Sequence, residues 1–364
     1  MRKIYLLFLI MFCISMTAYA NDFEEIVPDI GYKELEELTG YGTFAELVNA
    51  IVEGETSDSG SLINKITDFF IGELKNNIAY VTAIIGFAML GACIKGAGIK
   101  SDKGSGNLLF LITYCVISLF LLGMLKSCVE TAKKLSGDIE SFVKMTIPAY
   151  IGFVSAITPL RNAANMEGIF LIMVNIVSAF AGKVMLNMFF YIGLLYIINY
   201  MSTEIHVLKL IELVRQALFW ILGFLLTVFA GITGLSGINA IAVSQSGMRA
   251  VKYTVGHAIP IVGGFLADSS DLIFASAKIF KNAFGTAGII IIFSICLIPI
   301  IKLFVSGMLL KAAAGLTEPF CDKRICDCVA ALGQTVIHIM VCLILLALMF
   351  ILSFATILLV GMGG

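Results

Sequence analysis

Long apolar runs separated by short polar segments dominate the chain from residue 78 onward. Ile78–Ile94, Leu108–Leu125, Ala217–Leu235, Ala287–Leu310 and Thr335–Val360 approach or exceed the roughly 20 residues that a helix needs to cross hydrocarbon. These runs are continuously apolar rather than alternating, which predicts membrane helices and excludes a β-barrel. The pattern between 145 and 201 is less regular. Ile147–Ile157 has Pro148 near its start and Pro159 just beyond its end, so it reads as a short span or a re-entrant half-helix. Gly168–Met201 is too long for one untilted helix and is interrupted at Gly182-Lys183, which divides it into two short spans. Three crossings here, or one tilted helix plus a re-entrant piece, bring His206–Gln216 with Lys209 and Arg215 to the cytoplasmic side. With three, the chain crosses the membrane about eight times.

The polar edges set the orientation. Residues 1–20 have a charged start (Arg2, Lys3), an apolar stretch and an Ala18-Tyr19-Ala20 cleavage site, the pattern of a signal peptide. An uncleaved first helix is the alternative. Residues 21–77 are acidic and form an exported leader with helical spacing over Tyr32–Leu38, Phe44–Val52 and Leu62–Leu74. Lys95, Lys100 and Lys103 then mark a cytoplasmic loop, and Lys311–Gly333 marks another. Lys126–Lys144 is amphipathic with mixed charges and reads as a linker at the outer surface. The chain thus divides into the signal peptide (1–20), the leader (21–77), a first membrane block (78–201) and a second (202–364).

Within the second block, residues 234–285 form a weakly hydrophobic island between strong spans. Ser244–Ile259 places Met248, Val251, Val255 and Ile259 on one face of an interfacial helix. Pro260, Gly263 and Gly264 break it. Asp268 and Asp271 then read as helix-start acids for a second amphipathic helix, Leu272–Phe284. The pair forms either a re-entrant hairpin lining a passage or two helices lying flat on the bilayer. Pro260, Gly263, Gly264, Asp268 and Asp271 are the candidate conduit or partner contacts. Lys183 joins them, because an intramembrane charge is costly, unless it sits in a surface turn.

Composition sharpens the class. The chain is 59% hydrophobic and 13% charged, against about 45–50% and about 25% in soluble domains. The fold class is therefore all-α, a polytopic helical membrane protein in contact with the lipid bilayer. Its net charge of −1 gives no reason to expect nucleic acid as a partner. Cys321, Cys326 and Cys328 have the most metal-like spacing, but there is no second pair or neighbouring His, so free thiols are expected. His257 and His338 are expected to be satisfied or interfacial. Asn175, Asn187 and Asn199 are expected to bond between helices. There is no P-loop, HExxH or GxSxG motif, so neither a catalytic site nor a cofactor is expected.

Several short stretches carry a family resemblance. Leu226–Gly231, Ala250–Gly256, Ile259–Asp268 and Lys281–Gly288, in that order, resemble stage III sporulation protein AE. The similarity is best over about residues 205–310 and upstream of 200 only the layout agrees. The resemblance implies a non-enzymatic multi-pass component of the sporulation channel, the feeding tube between mother cell and forespore. It implies residence in the mother-cell membrane around the forespore, with the other stage III A proteins and forespore protein Q as partners. A homo-oligomer is compatible with this. The residues alone leave open a stand-alone secondary transporter, or a scaffold that recruits partners without forming a pore.

Overall fold

A computed structural model describes residues 50–51, 59–96, 103–157, 172–202, 207–232 and 263–359. All the regular structure among them is helical. The signal peptide, residues 21–49 and 52–58 of the leader, Ser244–Ile259 and Pro260 lie outside the described residues. We number the helices α1 (Ser59–Gly96), α2 (Lys103–Ile157), α3 (Ile172–Met201), α4 (Leu208–Ile232), α5 (Gly263–Thr317) and α6 (Lys323–Leu359). Each contains a segment long and apolar enough to cross a membrane, six among the described residues.

Among the described residues the helices are longer and fewer than the hydropathy pattern predicts. The amphipathic segment at 62–74 and the first span form one helix, α1. In α2 the second span, the polar linker and Ile147–Ile157 are continuous. The reason lies in the linker itself. It keeps an apolar face (Val129, Ala132, Leu135, Ile139, Val143) against the core. Lys126–Glu130 at 3.8 Å and the Lys144–Glu140 pair support its polar face at i,i+4 spacing. The proposed break at Gly182-Lys183 is a correction: α3 is one helix, and the irregularity is a π-helical segment, Ala179–Met185. A π-turn absorbs an extra residue without ending the helix. The island's second helix is likewise no separate arm. Gly263–Thr317 is a single helix running through Pro299.

α6 is the hub, packing against α5, α3 and α2, while α1 lies on α2 and α5. Buried side chains from all six helices form one core. The α5–α6 crossing is the tightest contact. A Cβ added to Gly333 would sit 3.1 Å from the Gly307 carbonyl oxygen and 3.1 Å from Leu310 Cβ, and one added to Gly307 would sit 2.8 Å from Ile337 Cγ1. Small residues let membrane helices approach to backbone contact. Gly288 packs on the Phe354 ring, and Gly193 packs on Leu125 and Leu332. At the tight α5–α6 hairpin, Thr317 accepts backbone bonds from Phe320 and Cys321, each at 3.0 Å. Asp322 caps α6 by accepting from the Arg324 amide at 3.1 Å.

Gly333→Leu should therefore lower stability in detergent or bilayer by about 2 kcal/mol or more through overpacking. Gly315→Ala, where a Cβ meets nothing within 4 Å, should be neutral or slightly stabilising. Thermal unfolding of the two purified variants beside wild type checks this. Equal loss in both would show that the crossing is not the tight point.

Candidate functional site

Three polar places interrupt the apolar bundle. The first is the π-segment of α3. Widening the turn disturbs the i→i−4 ladder, and Asn187 Nδ2 donates to the Lys183 carbonyl at 2.5 Å. Gly182 faces α2, where an added Cβ would lie 3.1 Å from Ser136 Oγ. The Ser136 and Ser178 hydroxyls are buried there without a hydrogen-bond partner. Lys183 itself is exposed near the middle of α3, among exposed Ile176, Val184 and Met188. It is thus not in a turn between two spans. An unpaired lysine facing lipid at that depth costs about 3 kcal/mol.

The second place joins α1, α2 and α5. Asn77 Nδ2 donates to Glu73 Oε1 at 2.6 Å, and Asn77 is buried. Cys128 on α2 lies within reach of the Ser306 hydroxyl and within the electrostatic influence of Lys302 and Glu73. Lys302 follows Pro299 by one turn on α5. Proline withdraws an amide from the ladder and frees a carbonyl in the preceding turn. Sequence reasoning passed over Lys302 and Asn77. The signal was present in Lys302 standing alone after the apolar run from Ala283 to Ile301.

The third place is the end of the bundle at the α5–α6 hairpin. Tyr114 on α2 donates to the Ile197 carbonyl of α3 at 2.5 Å and contacts Cys328 Sγ of α6 at 3.3 Å. Arg324 stacks 3.7 Å over the Phe110 ring and pairs with Asp322 at 3.3 Å. Cys326 turns the other way, towards Thr317 Oγ1 at 3.6 Å. Two residues apart on a helix point to opposite sides, so the cysteines do not converge. Among the described residues no group of three or more His, Cys, Asp or Glu is placed to hold a metal. Burial, then the neighbouring Cys326 and Asp322, pushes the Cys321 thiol up to about 11.

The remaining candidates are dispersed. His338 bonds Gln334 at 3.1 Å between the rings of Phe189 and Phe219. Asn199 accepts from the Val207 amide at 2.9 Å, tying α3 to the start of α4. Gly263 and Gly264 open α5, so Asp268 and Asp271 lie past its first turn rather than at its cap.

A thiol held near 11 is almost wholly protonated at neutral pH, and the thiolate is the reactive form. Modification of Cys321 by a neutral maleimide should rise about tenfold per pH unit between 7 and 10, where an ordinary thiol levels off near 9. Peptide mass mapping across that range would show a plateau at pH 9 if the site were not shielded.

The family profile described as stage III sporulation protein AE matches residues 43–361. Stage III sporulation protein AE of Bacillus subtilis (strain 168) is 24% identical over 252 residues, 69% of this chain and 63% of that relative. The match thus spans less than two thirds of the relative's length. No solved structure matches the chain. With the profile spanning all six apolar helices among the described residues, the chain belongs to the stage III sporulation protein AE family.

Proposed function

We propose that the chain is a non-enzymatic, multi-pass subunit of the sporulation channel between mother cell and forespore, acting in the mother-cell membrane after engulfment. The family membership supports a role in sporulation. The observation that carries the subunit reading is Lys183, exposed in mid-helix on a face whose other residues (Asn175, Ile176, Ala179, Val184, Asn187, Met188 and Tyr191) carry no charge. A charge in that position is relieved by a partner or by water rather than by lipid. The other stage III A proteins and forespore protein Q are the partners this reading implies. Gly263, Gly264, Asp268 and Asp271 then belong to a helix end that reaches past the apolar part of α5, a contact surface for assembly. Tyr114, Asn199 and Thr317 tie neighbouring helices together, which favours a structural over a catalytic role for these groups.

Deleting the gene in its spore-forming host should leave engulfment intact and abolish most heat-resistant spores. A normal spore yield would sink the proposal. Lys183→Arg should keep spore formation and Lys183→Leu should reduce it, with both proteins recovered equally from membranes. A stand-alone transporter would instead move solute in liposomes without any partner.

A further inference from the structure

The exposed face of α2 changes character part-way along. Leu111, Ile112 and Leu119 are exposed on its first half. From Lys126 the exposed residues are polar: Lys126, Ser127, Glu130, Lys133 and Lys134. Lys126 and Glu130 are 70% and 64% exposed. Such a face belongs in water.

Contacts along the bundle place this face against its neighbours. At one end Tyr114 meets Ile197 and Cys328. Further along, Leu125 packs on Gly193, which also packs on Leu332. Ser136 meets Gly182, and Met185 of the same α3 segment meets Cys342. At the far end Phe142 stacks on Phe354, which covers Gly288. At 1.5 Å per residue, Tyr114 and Phe142 are about 42 Å apart along α2. Lys126 stands about 18 Å from Tyr114 and Lys134 about 12 Å from Phe142.

Hydrocarbon is about 30 Å thick. Any slab of that thickness lying within these limits contains Lys126, Glu130 and Lys133. A slab set lower, against Arg324 and Asp322, would leave Ile344–Leu359 of α6 in water. That stretch holds no charged residue, and Ile344 and Leu348 are exposed. It would also leave much of the uncharged stretch 282–301 of α5 outside, with Phe293 57% exposed. The apolar faces of α5 and α6 fix the depth of lipid, and the polar face of α2 lies at that depth.

We infer that the Lys126–Lys134 face of α2 lines a water-filled passage at membrane depth, its opposite wall coming from outside this chain. The face carries both signs of charge, which suits hydrated ions and small polar solutes rather than a single ionic species. This rests on the channel reading above and moves the lining from the 234–285 island to α2. Spore counts test that reading, whereas labelling of the face tests this one.

The experiment uses full-length chain in membranes of its sporulating host, with Ser127→Cys, Lys133→Cys, Phe293→Cys and Leu348→Cys made singly. Variants that still support spore formation are treated with a charged, membrane-impermeant maleimide, and labelling is read above the wild-type background. Ser127→Cys and Lys133→Cys should label, and Phe293→Cys and Leu348→Cys should not. Bimane attached at 293 and 348 after detergent extraction and reconstitution should be quenched by nitroxide lipids. Labelling at all four positions would make this end of the bundle an extramembrane surface and overturn the inference. Labelling at none, with 127 and 133 appearing only in detergent, would mean that protein covers the face, and would overturn it equally.

Discussion

The approach of α5 and α6 to backbone contact at Gly307 and Gly333 fixes the arrangement of the other helices. Inside a bilayer, apolar side chains gain little by leaving lipid for protein, so association rests on close packing and on a few polar links. Glycine at both sides of the crossing removes the spacer that would hold the helices apart. The close approach continues away from that point. Gly193 admits Leu125 and Leu332, so α2, α3 and α6 meet without a gap, and Gly288 admits the Phe354 ring. A short turn capped by Asp322 and clasped by Thr317 and Cys326 holds the hairpin in register.

Polar groups in this core are mostly settled within their own helix. Thr146, Thr317, Thr335, Ser294 and Ser353 each donate to a carbonyl four residues back. Such bonds satisfy a hydroxyl without specifying a neighbour. Specificity between helices therefore falls to a small number of links, chiefly Tyr114 to Ile197 and Asn199 to Val207. The π-segment is one exception, because Ser136 and Ser178 remain without partners where Gly182 brings α3 against α2. A widened turn at such a place is a point where the packing has room to change.

Membrane class and the strongest spans were legible because apolar runs of the required length have few other uses. Boundaries were not. Hydropathy marks where a helix leaves lipid, whereas the helix ends only where its hydrogen-bond ladder fails. Lys126–Lys144 reads as a surface linker because polarity imitates a boundary, yet its apolar face continues unbroken from Cys128 to Val143. At Gly182-Lys183 the pattern did register an anomaly, and its form was a π-segment rather than a turn. The cysteines at 321, 326 and 328 show the limit of spacing read without a helix direction. Lys302 and Glu73 escaped because their common influence on Cys128 depends on the packing of three separate helices.

Lys183 and the α2 face place charge at membrane depth in different ways. A single lysine can bend its chain several ångströms along the helix and draw its ammonium towards the interface. Its cost then falls without vanishing, and a partner or water relieves the rest. A row from Lys126 to Lys134 has no such escape, because its charges follow one another over about 12 Å of helix. Moving one towards an interface leaves the others behind, and Glu130, the acid among them, has a shorter side chain. Ion pairing at 3.8 Å between Lys126 and Glu130 offsets part of the cost, but the pair is exposed and keeps hydrogen-bonding capacity turned outward. Hydration of the whole face removes the penalty for every member at once. A helix with one apolar side against protein and one charged side against water is stable at any depth, provided that the water is there.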